Sequence, residues 1–282
     1  MTSRAGAPIF DDGSFVKVLN LYYSVVQSLK GYAPADSRLV RSHGLAAKLF
    51  QHAASAFWLS KGTRVPEMPE VAVDFGDHGT IAVIARAAFE AYLTFYYIFL
   101  DPRTEDEFEF RFNAWMLAGV AQRERHPFRL AEHRAQLATE KPLRESYRDA
   151  IKQTKRFKNL GTRKHGLDTQ QKVLEGKKWR FHSASEIAAR AGFGRQYSRT
   201  LYEYLSDYAH SGALAALQVS QADSPQVQRT FVESDLRVIM VVLCKMILSF
   251  TKRFPRAGEE LKSDPEALHI CEVLAEAIRR LD

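Results

Sequence analysis

Four side chains in this sequence have the types and spacing for proton transfer or phosphate chemistry: Arg86 and Glu90 in ARAAFEAYLTFYYIF, and Asp207 and His210 in LYEYLSDYAHSG. A four-residue separation places Arg86 and Glu90 on one face of a helix. In a segment otherwise apolar on every side, such a pair either neutralises itself as part of the architecture or belongs to a site. His210 follows Asp207 by three residues, and an imidazole beside a carboxylate can serve as general acid or base near neutral pH. At a helix end marked by Ser211-Gly212, the same histidine can equally cap the last carbonyls.

An anionic substrate would need a cationic surface, and the charge is concentrated in one place. Between residues 152 and 180 stand Lys152, Lys155, Arg156, Lys158, Arg163, Lys164, Lys172, Lys177, Lys178 and Arg180 against only Asp168 and Glu175. That segment is +8 in a chain of formal net charge +7, so the rest is about neutral. Such clustering is the electrostatic footprint of an anionic partner such as a nucleic acid. With Gly161, Gly166 and Gly176 and few apolar residues, residues 158 to 180 read as a long basic loop.

Other chemistries find no footing. There is no His-Glu-x-x-His, and His126 and His133 are separated by Pro127 with no third close ligand, so no metal and no cofactor is expected. No phosphate-binding lysine loop, dinucleotide glycine fingerprint or Gly-x-Ser-x-Gly elbow occurs. Cys244 and Cys271 are far apart in apolar helical patterns and read as buried reduced thiols. The N-terminal residues contain no apolar run of signal-peptide length, which predicts a cytoplasmic protein.

The elements that must position these groups are helices throughout. Phe15, Val18, Leu19, Tyr22, Val25, Val26 and Leu29 form one face of a helix from an N-cap at Ser14 to Gly31, and a second helix runs from about Asp36 to Gly62. A third, about Thr80 to Leu100, is apolar nearly all round and carries Arg86 and Glu90, which argue for a buried core helix and against a membrane span. Thr104 with Glu107 opens a fourth. Residues 128 to 157 read as helical with an interruption at Lys141-Pro142. Helices then follow at Ser185 to Ala191, Ser198 to Val219, Val227 to Arg253, and from Pro265, with a short extended piece allowed at Val71 to Phe75. The expected architecture is all-α: a compact bundle of eight to nine helices in one domain, 1–282, with 75–220 bearing the motifs. Apolar helices Phe108 to Met116 and Leu236 to Phe250 could supply a homodimer face.

Three strings carry resemblances. ARAAFEAYLTFYYIFLDP, KKWRFHSASEIAARAGF and LYEYLSDYAHSG resemble an uncharacterised bacterial all-helical family over about residues 75 to 220, with its Arg-x-x-x-Glu helix and Tyr-x-x-Leu-Ser-x-x-x-His motif. More distantly, the chain resembles the HEPN superfamily, helical bundles that include ribonuclease toxins and antiphage defence effectors. That resemblance implies a metal-independent ribonuclease in which His210 removes the 2′-hydroxyl proton and Arg86 stabilises charge on the phosphate, with Glu90 or Asp207 to orient them and the basic 152 to 180 segment to hold the RNA backbone; the alternative is a noncatalytic interaction or scaffold protein with a buried Arg/Glu/His network. SASEIAARAGFGRQYSRTLYEYL is similar to the helix-turn-helix of tetracycline-repressor-type regulators at Glu186 to Gly192 and Thr200 to Tyr202. The stretch Phe193 to Arg199 reads as about three residues too long for the tight turn of such a motif.

Overall fold

The computed structural model describes residues 10–62, 76–125, 131–162 and 164–281. Their helices are α1 (Asp12–Gln27), α2 (Val40–Leu59), α3 (His78–Phe99), α4 (Glu105–Arg125), α5 (Ala131–Gln153), α6 (Lys155–Leu160), α7 (Gly166–Leu174), α8 (Ala184–Arg190), α9 (Arg195–Ala209), α10 (Ala213–Gln221), α11 (Pro225–Arg253) and α12 (Pro265–Arg279). Two 3-10 segments, Ser37–Leu39 and Pro255–Ser263, complete the described secondary structure, which contains no strand. The all-α expectation is correct, but twelve α-helices replace the expected eight to nine. The difference has two sources. The helix expected from Ser198 to Val219 is two helices, and the segment expected as a basic loop is largely helical. The expected extended piece at Val71 to Phe75 lies outside the described residues.

Contacts gather the chain into two compact units: Met1–Tyr96 with Ala184–Asp282, and Tyr97–Ser183. In the first unit α11 is the axis. Val238 to Ile247 are buried on every face of this helix, Lys245 included, and α1, α2 and α12 pack against it. It starts where Ser224 caps Val227 and Pro225 occupies the first turn, since a proline there forfeits no helical hydrogen bond. Asp264 and Pro265 open α12 in the same way, with the carboxylate accepting from the Ala267 N–H at 2.9 Å. At α1 the cap is Asp11, bonded to the Ser14 N–H at 2.7 Å, so the helix begins two residues before the expected Ser14. Cys244 and Cys271 are both buried free thiols, and burial pushes the Cys244 thiol up. The apolar side chains of 236–250 are buried in this core apart from Leu248, which is half-buried.

Helix α3 reaches α11 through Phe95 on Phe250, with ring centroids 5.8 Å apart, and through the Tyr92 hydroxyl at 3.2 Å from that of Ser249. It is long and apolar enough to cross a membrane, yet two thirds of its apolar window, 67%, is buried inside the protein.

The second unit is built on α4 and α5 lying side by side, with α6 and α7 closing one end. Phe110, Ala114, Leu117, Ile151, Phe157, Leu160 and Val173 form its core. Pro142 sits inside a continuous α5 rather than interrupting it. Packing against α4 offsets the missing hydrogen bond, and the ion pairs Arg123–Glu140 and Arg144–Glu124 join the two helices on either side of the proline. At α4 the expected capping box is present in modified form: Thr104 Oγ1 accepts from the Glu107 N–H at 3.2 Å, while the Glu107 carboxylate accepts from the Arg103 N–H at 3.2 Å. Arg111 is 3% exposed and held by three partners, the Tyr97 carbonyl at 2.7 Å, Asp101 at 2.6 Å and Glu107 at 2.5 Å.

The turn after α8 is shorter than its sequence suggests. Because α9 begins at Arg195 rather than Ser198, only residues 191–194 connect the two helices. The three residues that read as surplus are the first turn of α9.

Candidate functional site

Arg86 and Glu90 share a half-buried face of α3, as their spacing predicts, and the side chain that joins them is Tyr202 of α9. The Arg86 Nη2 donates to the Tyr202 hydroxyl at 3.3 Å, and that hydroxyl donates to Glu90 Oε1 at 2.9 Å. The guanidinium also lies 5.1 Å from the Tyr202 ring centroid, within cation–π range. Arg86 Nη1 is buried without a hydrogen-bond partner among the described residues. The cluster ties α3 to α9 and spreads one positive charge over a phenol and a carboxylate.

Asp207 and His210 are not part of it. Asp207 caps the next helix: its Oδ2 accepts from the Ala215 N–H in the first turn of α10 at 2.7 Å. A Cβ on Gly212 would stand 1.8 Å from Asp207 Oδ1, which is why a glycine occupies that turn. His210 is exposed and forms the C-cap of α9, its N–H bonded to the Ser206 carbonyl at 3.0 Å. It follows Tyr202 by eight residues, about 12 Å along a helix rising 1.5 Å per residue. Arg86 is engaged at Tyr202, and among the described residues no hydrogen bond joins it to His210. Ser211, with φ 54°, then ends α9 and turns the chain into α10.

The basic segment takes a form its composition did not suggest. Thr154 caps α6 by accepting from the Phe157 N–H at 3.2 Å, and Asp106 of α4 accepts from the Lys155 and Arg156 N–H groups at 2.6 and 2.9 Å. Phe157, Leu160 and Val173 turn inward, so Lys152, Lys155, Lys158, Lys164, Lys172 and Lys177 are exposed. Three of these face a carboxylate: Lys152 with Asp149 at 3.1 Å, Lys172 with Asp168 at 2.7 Å, and Lys177 with Glu175 at 2.7 Å. Exposed pairs of this kind are worth about 0–1 kcal/mol, too little to withhold a lysine from a phosphate. Lys178 lies over the Phe181 ring at 5.3 Å and Arg180 over Trp179 at 5.7 Å. Arg163 lies outside the described residues. Over residues 97–183 there are 19 Lys and Arg against 12 Asp and Glu, a difference that equals the whole chain's +7.

A family of unknown function, DUF5677, matches residues 41–226, which include Arg86, Glu90, Tyr202, His210 and the basic segment. The chain belongs to that family. No curated protein and no solved structure matches it. The DUF5677 match extends the reading of residues 75 to 220 as an uncharacterised helical family by most of α2 on the N-terminal side.

Tyr202 is the member of the cluster that spacing alone did not single out, because it is recognised only once α3 and α9 are known to be neighbours. Its removal gives a measurable prediction for this DUF5677 protein. Tyr202→Phe keeps the ring and deletes the bridge, leaving Arg86 and Glu90 short of a partner, and should lower unfolding free energy by about 1–3 kcal/mol in urea titration. A loss equal to that of an exposed Tyr→Phe substitution such as Tyr23→Phe, which is expected to be near zero, would mean the bridge contributes nothing.

Among the described residues no group of three His, Cys, Asp or Glu side chains could hold a metal ion. The titratable group with the largest perturbation of interest is Asp235 on α11, fully buried, with its carboxyl pushed up to about 7 by desolvation against the opposing hydrogen bond from the Tyr204 hydroxyl at 3.3 Å. Its Oδ2 has no partner among the described residues.

Proposed function

We propose that this protein binds nucleic acid noncatalytically, holding a phosphate backbone on the basic face of the Tyr97–Ser183 unit. The observation that carries the reading is the partition of charge: that unit holds the entire net positive charge of the chain, and its apolar residues fold inward so that six lysines stand outward. A polyanion meeting such a face gains affinity by releasing condensed counterions, one for roughly each phosphate neutralised. The backbone is common to RNA and DNA, so the charge alone recognises either.

What supports binding rather than cleavage is the fate of the expected catalytic set. Arg86 is occupied by Tyr202, Glu90 by the same hydroxyl, and Asp207 by the first turn of α10. The ribonuclease activity implied by the HEPN resemblance requires Arg86 and His210 on one phosphate; Arg86 of α3 is instead bonded to Tyr202, eight residues before His210 on α9, which favours the alternative, a structural Arg–Tyr–Glu bridge.

The test is binding of a labelled single-stranded RNA and a labelled duplex at low salt, with intact probe quantified by denaturing gel. Lys155, Lys158, Lys164 and Lys177 replaced together by Ala should weaken binding by at least about tenfold. The same charge removed from the first unit at Lys30, Lys48, Lys252 and Lys262 should leave it within about twofold. Equal losses from the two sets would show that only total charge matters. Probe cleavage that disappears in both His210→Ala and Arg86→Ala would replace this reading with the enzymatic one.

A further inference from the structure

The α8–α9 corner has a role that backbone binding does not use. Two helices joined by a three- to four-residue turn containing glycine make the helix-turn-helix arrangement, and here the joint is residues 191–194 with Gly192 at φ +81°. The turn is pinned from the core of its own unit. Lys245 of α11 donates to the Gly192 carbonyl at 2.8 Å and lies over the Phe193 ring at 5.4 Å, while the Gly194 N–H donates to the Ile278 carbonyl at 3.1 Å. A Cβ on Gly192 would meet Lys245 Nζ at 3.1 Å, a second reason for glycine there. Ile187, Ala188, Phe193 and Leu201 are buried, and the Phe193 ring packs on Phe89 and Tyr92 of α3 with centroids 5.2 and 5.9 Å away. Ser198 is fully buried on the inner face of α9, with its hydroxyl 3.4 Å from the Ser185 carbonyl of α8.

With the inner face so occupied, the outer face of the first turns of α9 is Arg195, Gln196, Arg199 and Thr200, all exposed. These positions fall one turn apart on one side of the helix. Together with Glu186 and Glu203 they line one concave surface. The residue types are those that read base edges: Arg pairs with guanine O6 and N7, Gln with adenine N6 and N7, and Thr reaches bases or the thymine methyl. In a helix-turn-helix it is the N-terminal residues of the second helix that meet those edges in the major groove. The charge suits the occupant, with Arg190, Arg195 and Arg199 around the corner against Glu186 and Glu203. Arg199 is paired with Glu203 at 2.9 Å, but both side chains are mostly exposed, so the pair is easily exchanged for a base.

We propose that α8 and α9 form a helix-turn-helix that reads duplex DNA, with α9 in the major groove and Arg195, Gln196, Arg199 and Thr200 on the base edges. The inference deepens the proposed function by naming the nucleic acid, and it rests on that reading.

The experiment is selection of the full-length protein on a duplex DNA pool with a randomised core, followed by fluorescence anisotropy on the enriched duplex, a scrambled duplex of the same composition, and the RNA of the same sequence. A preferred sequence should emerge. Arg195→Ala with Gln196→Ala should weaken binding to the enriched duplex by about tenfold or more and to the scrambled duplex by less than about twofold. Both side chains are on the surface, so circular dichroism should be unchanged. Failure of the pool to enrich, equal losses on enriched and scrambled duplexes, or tighter binding to the RNA would overturn the helix-turn-helix while leaving backbone binding intact. Absence of binding to any of the three probes at low salt would overturn the proposed function as well.

Discussion

Arg111→Ala should lower the unfolding free energy by about 3–5 kcal/mol, a large destabilisation for one substitution. Arg111 is 3% exposed, and its guanidinium sits 4.1 Å from the Tyr97 ring centroid, bonded to a backbone carbonyl and to two carboxylates. Truncation leaves Asp101 and Glu107 facing each other's charge with their common counterion gone, and leaves the Tyr97 carbonyl at the end of α3 unbonded. Arg111→Lys keeps the charge but cannot present two nitrogens to two acids and a third hydrogen bond to the carbonyl, so it should fall between wild type and Ala. Urea unfolding monitored by circular dichroism and by tryptophan fluorescence measures both, since Trp115 and Trp179 belong to the same unit. A loss under about 1 kcal/mol for the alanine variant would show that the cluster is solvated in solution.

Asp235→Asn should have the opposite sign. The folded protein holds this carboxyl protonated up to about 7, against a usual value of 3.8, because burial penalises the charged form. Between those values the folded state binds a proton that the unfolded state has released, so stability falls as pH rises through the window and is level above it. The full difference corresponds to roughly 4 kcal/mol. Asparagine cannot ionise and still accepts from Tyr204, so the variant should be more stable than wild type at pH 8, about equal near pH 4, and should lose the downward slope between. Thermal unfolding across pH 4 to about 8 reads this out. Equal pH dependence in the two proteins would mean that Asp235 does not titrate in that window.

The long helices were legible because their physics is local. Leu236 to Phe250 and Ile81 to Leu100 are apolar nearly all round, and an Asp before a proline marks the opening of α12; the same signal at Ser224-Pro225 starts α11 two residues before the expected Val227. The errors fall where a local signal was outvoted by packing. Pro142 breaks an isolated helix but sits inside α5, because α4 holds the segments on both sides of it. The basic stretch has too few apolar residues to show a periodicity, yet Phe157, Leu160 and Val173 suffice to fold α6 and α7 onto a core supplied by α4 and α5.

Ser198 has the type of an N-cap and suggests a helix start there, whereas it is a buried residue one turn inside α9. That single displacement is why the turn between α8 and α9 reads as about three residues too long. For the site, the Arg86–Glu90 spacing was readable and Tyr202 was not, since nothing in a sequence states that position 86 of one helix lies beside position 202 of another. His210 was singled out by type, and its backbone forms the C-cap of α9.

The central claim, that a nucleic-acid backbone is held by the basic face of the second unit, is tested most directly by the salt dependence of single-stranded RNA binding. The logarithm of the binding constant should fall linearly with the logarithm of salt concentration, and the variant lacking Lys155, Lys158, Lys164 and Lys177 should show a slope shallower by about 0.7 for each phosphate that is no longer neutralised. A wild-type slope near zero, or a slope unchanged in the four-lysine variant, would contradict the assignment.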